Sequence, residues 1–193
     1  MLAGDKIANT VSAGTLVTGD LGISPGASLA GFPPGIINGG TYTGAAAAAF
    51  QFDLVAAYND VAGRSGGAAL PADLAGVTLT PGLYHHAGAV ALSSGICTLD
   101  AEGDMNAVFV FQIGTAFGLA AGTEIHLGGG AKATNVTWAV GGSATLGAGS
   151  KLAGTLLAVT AITLGAGAAV DGRLLAHDAS VTLDTNVITV PAP

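Results

Sequence analysis

Charge is scarce in this sequence. Five Lys and Arg stand against twelve Asp and Glu, so charged residues make up 9% of the 193 and the net charge is −7. With so few bases and no run of them, there is no basic patch to bind a nucleic acid backbone. Cysteine is scarcer still. Cys97 stands alone, so no internal disulfide can form, and its thiol reads as a small buried hydrophobe rather than a nucleophile. The first nine residues, MLAGDKIAN, lack both a basic n-region and a long apolar h-region, so no signal peptide is visible. The uncharged stretch Leu152–Val170 has the length of a membrane span, but glycines and threonines recur in it at repeat positions, and it reads as two stacked coils.

Glycine is plentiful, at 32 residues, and its lack of a Gly-X-Y period excludes collagen. Apolar periodicity argues against disorder. A ten-residue phrase recurs instead. Thr10–Gly19 reads TVSAGTLVTG, Thr145–Gly154 reads TLGAGSKLAG and Thr163–Gly172 reads TLGAGAAVDG. Gly118–Leu127 fits the same frame, and Ala91 and Thr182 each open a partial copy. Starts at 145, 163 and 182 lie 18 and 19 residues apart, while 91, 118 and 145 are spaced by 27. A period near 20 with internal alternation predicts a β-solenoid. Ala144, Leu146 and Ala148 form one alternating set, sent to the core, and Ser143, Thr145 and Gly147 form the other, sent outward. A second strand follows through Lys151–Thr155. A third, more continuously apolar stretch (Trp138–Val140, Leu156–Val159, Leu174–Ala176) completes a triangle and predicts burial on both sides.

One segment departs from this pattern. Phe50, Leu54, Ala57, Tyr58 and Val61 recur at helical spacing within alanine-rich residues 44–62, with Thr43 as the expected N-cap and Gly63 as the stop. Such a helix would cover the outside of one solenoid face. Phe32–Gly35 and Asn38–Tyr42 read as a turn-rich link into it.

Aligned copies give outward columns. The first face carries Ala8, Thr10 and Ser12; Ala89, Ala91 and Ser93; Ala116, Gly118 and Ala120; Ser143, Thr145 and Gly147; Ala161, Thr163 and Gly165; and Ser180, Thr182 and Asp184. Apart from Asp184, every one is Ala, Gly, Ser or Thr. The second face (Thr18 and Asp20, His126 and Gly128, Ala153 and Thr155, Asp171 and Arg173) mixes charge and bulk. A surface normally carries interspersed charge. The first face carries none of the aromatics that stack on sugars and almost no charge for ions. What it offers is methyls and hydroxyls on a grid of about 4.8 Å by 6.7 Å, suited to a sheet of ordered water and hence to ice.

Other signals carry less. His85-His86 lacks further ligands and reads as an exposed turn. Asp20 and Asp171 read as satisfying corner backbone groups, and Asp100, Glu102 and Asp104 as a solvated turn rather than a calcium loop. No Ser-His-Asp order, phosphate loop or redox Cys pair is present, so neither an enzyme nor a cofactor is expected. A polysaccharide lyase or hydrolase would need a charged cluster in a groove. A cell-surface adhesion or self-association module using the same flat face is the alternative reading.

Residues 15–26 (TLVTGDLGISPG), 45–60 (AAAAAFQFDLVAAYND), 76–84 (GVTLTPGLY), 106–114 (NAVFVFQIG), 135–150 (NVTWAVGGSATLGAGS) and 171–189 (DGRLLAHDASVTLDTNVIT) carry a resemblance to the microbial ice-binding protein family. It covers most of the chain. The resemblance implies a mostly β fold, a discontinuous right-handed solenoid with one long helix alongside, as a single domain over 1–193. It implies a secreted, monomeric antifreeze protein that adsorbs to ice, inhibits recrystallisation and depresses freezing. It further implies that the N-terminal coil docks beside the C-terminal one, placing Thr10 next to Thr182, and that ice meets the column through Ala91, Gly118, Thr145, Thr163 and Thr182.

Overall fold

The computed structural model describes residues 1–10 and 14–191. Of the expected face residues, Ser12 lies outside the described residues. The strands pair in parallel throughout. A seven-stranded sheet runs in the order Val90–Leu92, Phe117–Leu119, Ala144–Leu146, Ile162–Leu164, Val181–Leu183, Lys6–Asn9, Ser28–Ala30. A fifteen-stranded sheet forms the other two sides.

The turn between those two sides lies within the strands Lys151–Ala158 and Ala169–Ala176, which pair residue for residue along their whole length. Their first halves lie beside Glu124–Gly128 and Val187–Thr189, and their second halves beside Val136–Val140 and Leu2–Ala3. Gly154 and Gly172 face each other at the bend. Gly154 has a φ of 111°, and a Cβ on it would sit 2.7 Å from Val136 Cγ1, so no other residue fits there. Because of this bend, Thr155 and Arg173 belong to the third side, beyond the corner from Ala153 and Asp171.

The solenoid is discontinuous as expected: Lys6–Asn9 pairs with Val181–Leu183, so the chain's start stacks on its last coil. The register, however, differs from the expected one by two residues. Ala8 lies opposite Thr182, and Thr10 donates its amide to Leu183 O and stands level with Asp184. Six residues, 10–15, separate Asn9 from Leu16, whereas four separate Leu146 from Lys151 and Leu164 from Ala169. The repeat phrase at Thr10 therefore starts two residues too late to mark its strand. The segment read as a link into the helix is a further coil, built of Ser28–Ala30, Ile36–Asn38 and Thr41–Thr43.

Helix α1 spans Ala45–Ala62. Thr43 ends a strand, so Gly44 at φ 57° occupies the N-cap and no side chain caps the helix. Ala47, Leu54 and Val61 are buried against the third side. Leu54 packs with Leu2, Leu157 and Leu175, and Val61 packs with Val110 and Ala139. The helix thus buries the outer residues of strands whose inner residues already fill the core, which accounts for their continuous apolarity. At the helix end, the Gln112 side-chain amide donates to Val61 O at 2.7 Å and to Arg64 O at 2.8 Å. It satisfies carbonyls that a helix terminus leaves open.

Inside, Tyr84, Phe111 and Trp138 occupy successive rungs of one column. Phe111 stacks on Trp138 at 3.9 Å, Phe117 lies 4.9 Å from Trp138, and the indole N–H donates to Ala153 O. Leu156 continues the column and is fully buried, whereas Phe52 on the outer helix face is 75% exposed. Leu156→Ala is expected to lower unfolding stability by about 2–5 kcal/mol, and Phe52→Ser by no more than about 0.5 kcal/mol. Urea unfolding of both variants checks the assignment of inside and outside.

Candidate functional site

The seven-stranded sheet presents one aligned outer surface. Its strands show the burial pattern of a sheet solvated on one face: Ala144 and Leu146 are buried on either side of exposed Thr145, and Ile162 and Leu164 on either side of exposed Thr163. The register fixes a middle row of Ala91, Gly118, Thr145, Thr163, Thr182, Ala8 and Ala30. One flanking row contains Ala89, Ala116, Ser143, Ala161, Ser180, Lys6 and Ser28; the other contains Ser93, Ala120, Gly147, Gly165, Asp184 and Thr10. At general sheet spacings the surface measures about 30 Å across the strands by 13 Å along them.

The structure brings together Ala91, Gly118, Thr145, Thr163 and Thr182 in a single row, with Ser143, Ala161 and Ser180 beside it. It does not put Thr10 in that row, where Ala8 stands instead. The sequence alignment also missed Lys6, Ser28 and Ala30. Their signal was present: Ile7 and Leu29 alternate with small or polar neighbours in the same way as Leu146 and Leu164.

Hydroxyl chemistry separates the centre of this surface from its margins. Among the described residues, nothing hydrogen-bonds the side-chain hydroxyls of Ser143, Thr145, Thr163, Ser180 or Thr182. At two marginal positions the hydroxyls are occupied. Thr10 Oγ1 donates to Leu183 O at 3.0 Å, and the Ser93 hydroxyl donates to Asp73 Oδ2. The central hydroxyls are thus left to water.

Asp73 closes one edge. It bridges to Ala91, whose amide is bound by Ala72 O at 2.8 Å, so the first strand of the surface does not end in an open ladder. Its carboxylate accepts from the Ser93 hydroxyl and from the Ser93 and Ala75 amides, and these bonds hold its pKa below the ordinary value. Below the flanking row, the corner is sealed by buried polar groups. Asn186 donates to Gly165 O and Ala168 O, and the Thr15 hydroxyl donates to Asn9 Oδ1.

The glycines of the surface are not equivalent. A Cβ on Gly147 would lie 2.6 Å from Ala121 N, so that position is closed by the neighbouring coil. At Gly118 nothing stands within 4 Å of the added atom.

The adjoining side has a different character. Glu124 lies 3.0 Å from Lys151 Nζ and 3.3 Å from His126, and the Lys151 hydrogen bond is the main cause of its lowered pKa. Asp20 accepts the Gly40 amide at 2.7 Å, the corner role expected of it. Asp100 and Asp104 accept the amides of Glu102 and Asn106 within their turn. His85 and His86 lie in the strand Gly82–His86 rather than a turn, opposite Gln112 and Ile113, and His86 Nδ1 is 2.9 Å from Leu70 O. Among the described residues no helix is long and apolar enough to cross a membrane.

Comparison with known proteins gives a consistent result. The ice-binding-like family model matches residues 1–189. An ice-binding protein of Nostoc sp. is 43% identical over 192 residues, covering 98% of this chain and 70% of its own length. Ice-binding protein 1 of Shewanella frigidimarina is 36% identical over 98% of this chain, which spans only 25% of that longer protein. Among solved structures, an ice-binding protein from an Antarctic biological consortium superposes with a TM-score of 0.95 at 41% identity, covering 99% of this chain and 86% of its own. One from the ascomycete Antarctomyces psychrotrophicus reaches 0.92 at 38% identity, covering 100% and 94%.

Two outcomes test this geometry. Gly118→Thr should fold with stability within about 0.5 kcal/mol of the parent. Gly147→Thr should lose about 1–3 kcal/mol by overpacking. Thermal melts of the two variants read the difference. Asp73, its pKa depressed, stabilises the fold above the ordinary carboxylate range, and that contribution is lost as pH falls through the lowered value. Asp73→Asn should therefore melt below the parent at neutral pH, and the gap should close as the pH falls below the lowered value.

Proposed function

The chain belongs to the ice-binding-like family, and from that premise we propose that it adsorbs to ice through the outer surface of its seven-stranded sheet. The observation that carries this reading is the row Thr145, Thr163 and Thr182. These side chains are aligned coil on coil, with hydroxyls that no group among the described residues engages.

Each threonine supplies a methyl and a hydroxyl, and a β-branched side chain is stiff at χ1. Repetition at about 4.8 Å between strands and about 6.7 Å along them lets hydroxyls anchor water while methyls occupy the gaps between waters. No single contact is strong. Binding arises because the plane is ordered before ice arrives, so little side-chain entropy is lost on adsorption. Ala91 and Gly118 keep the row flat without adding hydroxyls. Adsorbed molecules then pin the crystal front, which slows growth and recrystallisation.

This role uses no catalytic group, cofactor or metal. The protein acts outside the cell, where ice forms, and as a monomer, since one copy carries the whole plane. Thr163→Tyr places a ring in the middle of the row and should reduce ice-recrystallisation inhibition at least tenfold, with an unchanged circular dichroism spectrum. A folded wild type that lets crystals grow as buffer does would remove ice adsorption and leave adhesion through the same face.

A further inference from the structure

Lys6 is the only base among the outward residues of the seven-stranded sheet within the described residues. It lies directly opposite Ser28, and the pairing of Ile7 with Val181 brings it level with Ser180. It is exposed, and among the described residues no carboxylate or carbonyl holds its ammonium. The two strands at this end otherwise repeat the pattern of the rest, with Ala8 and Ala30 in the middle row and Ser28 beside them.

We propose that Lys6 sets the limit of the ice-adsorbing plane and holds its activity down; this rests on the ice reading given above. A lysine carries a compact, strongly hydrated charge on a flexible four-carbon stem. It therefore stands forward of neighbours that end at Cβ or one atom beyond. Its hydration shell is organised around the charge and does not match a lattice set by methyls and hydroxyls. Stripping that shell against ice is unfavourable because the ammonium has no partner to replace the water. The strands Lys6–Asn9 and Ser28–Ala30 are thereby kept from joining the surface that their backbone register already extends. The patch in use ends at Val181–Leu183.

The test compares freezing-point depression at equal concentration for wild type, Lys6→Ser, Lys6→Ala, Ser143→Lys and Thr163→Tyr, with melting curves to confirm folding. Lys6→Ser and Lys6→Ala are expected to raise the depression at least twofold. Ser143→Lys, which moves the same charge to the middle of the same row, is expected to lower it at least fivefold. If the Lys6 variants equal or fall below an active wild type, or if Ser143→Lys keeps full activity, the limit is not set by this side chain. If wild type and Thr163→Tyr both behave as buffer, the ice reading itself fails, a result separable from failure at Lys6.

Discussion

Parallel backbone pairing between successive coils is the constraint from which the other features follow. It stacks like on like: Gly154 on Gly172 at the bend, Leu146 on Leu164 inside, Thr145 on Thr163 outside. A slip of one residue would send every outward threonine inward and every leucine into water, so the hydrophobic pattern holds the register against change. The stacked rings of Phe111 and Trp138 depend on it, because they lie on neighbouring rungs. So does the docking of the chain's first strand. Lys6–Asn9 finds its place on Val181–Leu183 because Ile7 must lie over Val181 in the core. That contact joins residues far apart in sequence and extends the flat surface by two strands beyond the last coil.

The same constraint makes the surface rigid. Side chains on a twisted or mobile sheet would have to be ordered each time they met a crystal. Here the outward residues other than Lys6 and Asp184 are short or β-branched, so they have little rotamer freedom to lose. The third side, packed beneath α1, and the polar corner around Asn186 hold the coils from the other directions. The helix therefore contributes to the surface without touching it. Leu54 and Val61 fix the third side, and the third side fixes the coils that carry the threonines.

Much of this was legible in the sequence because a solenoid writes its fold as a period. Starts at 145, 163 and 182 gave the central threonine row directly, and the break in period marked the helix. What stayed hidden were the places where local chemistry departs from the repeat. Thr10 begins a phrase that looks like the others, yet its corner has six residues instead of four, and only three-dimensional pairing shows that Ala8 fills the row. Lys6 went unnoticed for the same reason, since a frame displaced by two residues leaves it off the face. The coil at Ser28–Thr43 was obscured because Phe32, Pro33, Pro34 and Gly35 carry turn signals between its short strands. Thr43 was a reasonable cap by residue type, but a strand occupies it and Gly44 makes the turn.

The scarcity of charge noted first in the sequence acquires a spatial meaning in the fold. A net charge of −7 must keep the protein dispersed, yet an ionised group on the plane would organise water around itself rather than into a lattice. The fold reconciles these demands by position. Glu124 and Asp171 stand on the second side, Asp53 and Asp60 on the helix, and Asp100, Glu102 and Asp104 in a turn away from the plane. Of the acids at the plane's border, Asp73 is tied down most fully. Asp73 is held by Ser93 and Ala75, whereas the Thr185 hydroxyl donates to the main-chain oxygen of Asp184 at 2.8 Å and only passes within 3.2 Å of its carboxylate. A carboxylate whose lone pairs are directed at the protein's own donors disturbs the neighbouring water less than a free one. Lys6 lacks such an arrangement, and it stands where the uncharged pattern is otherwise continuous.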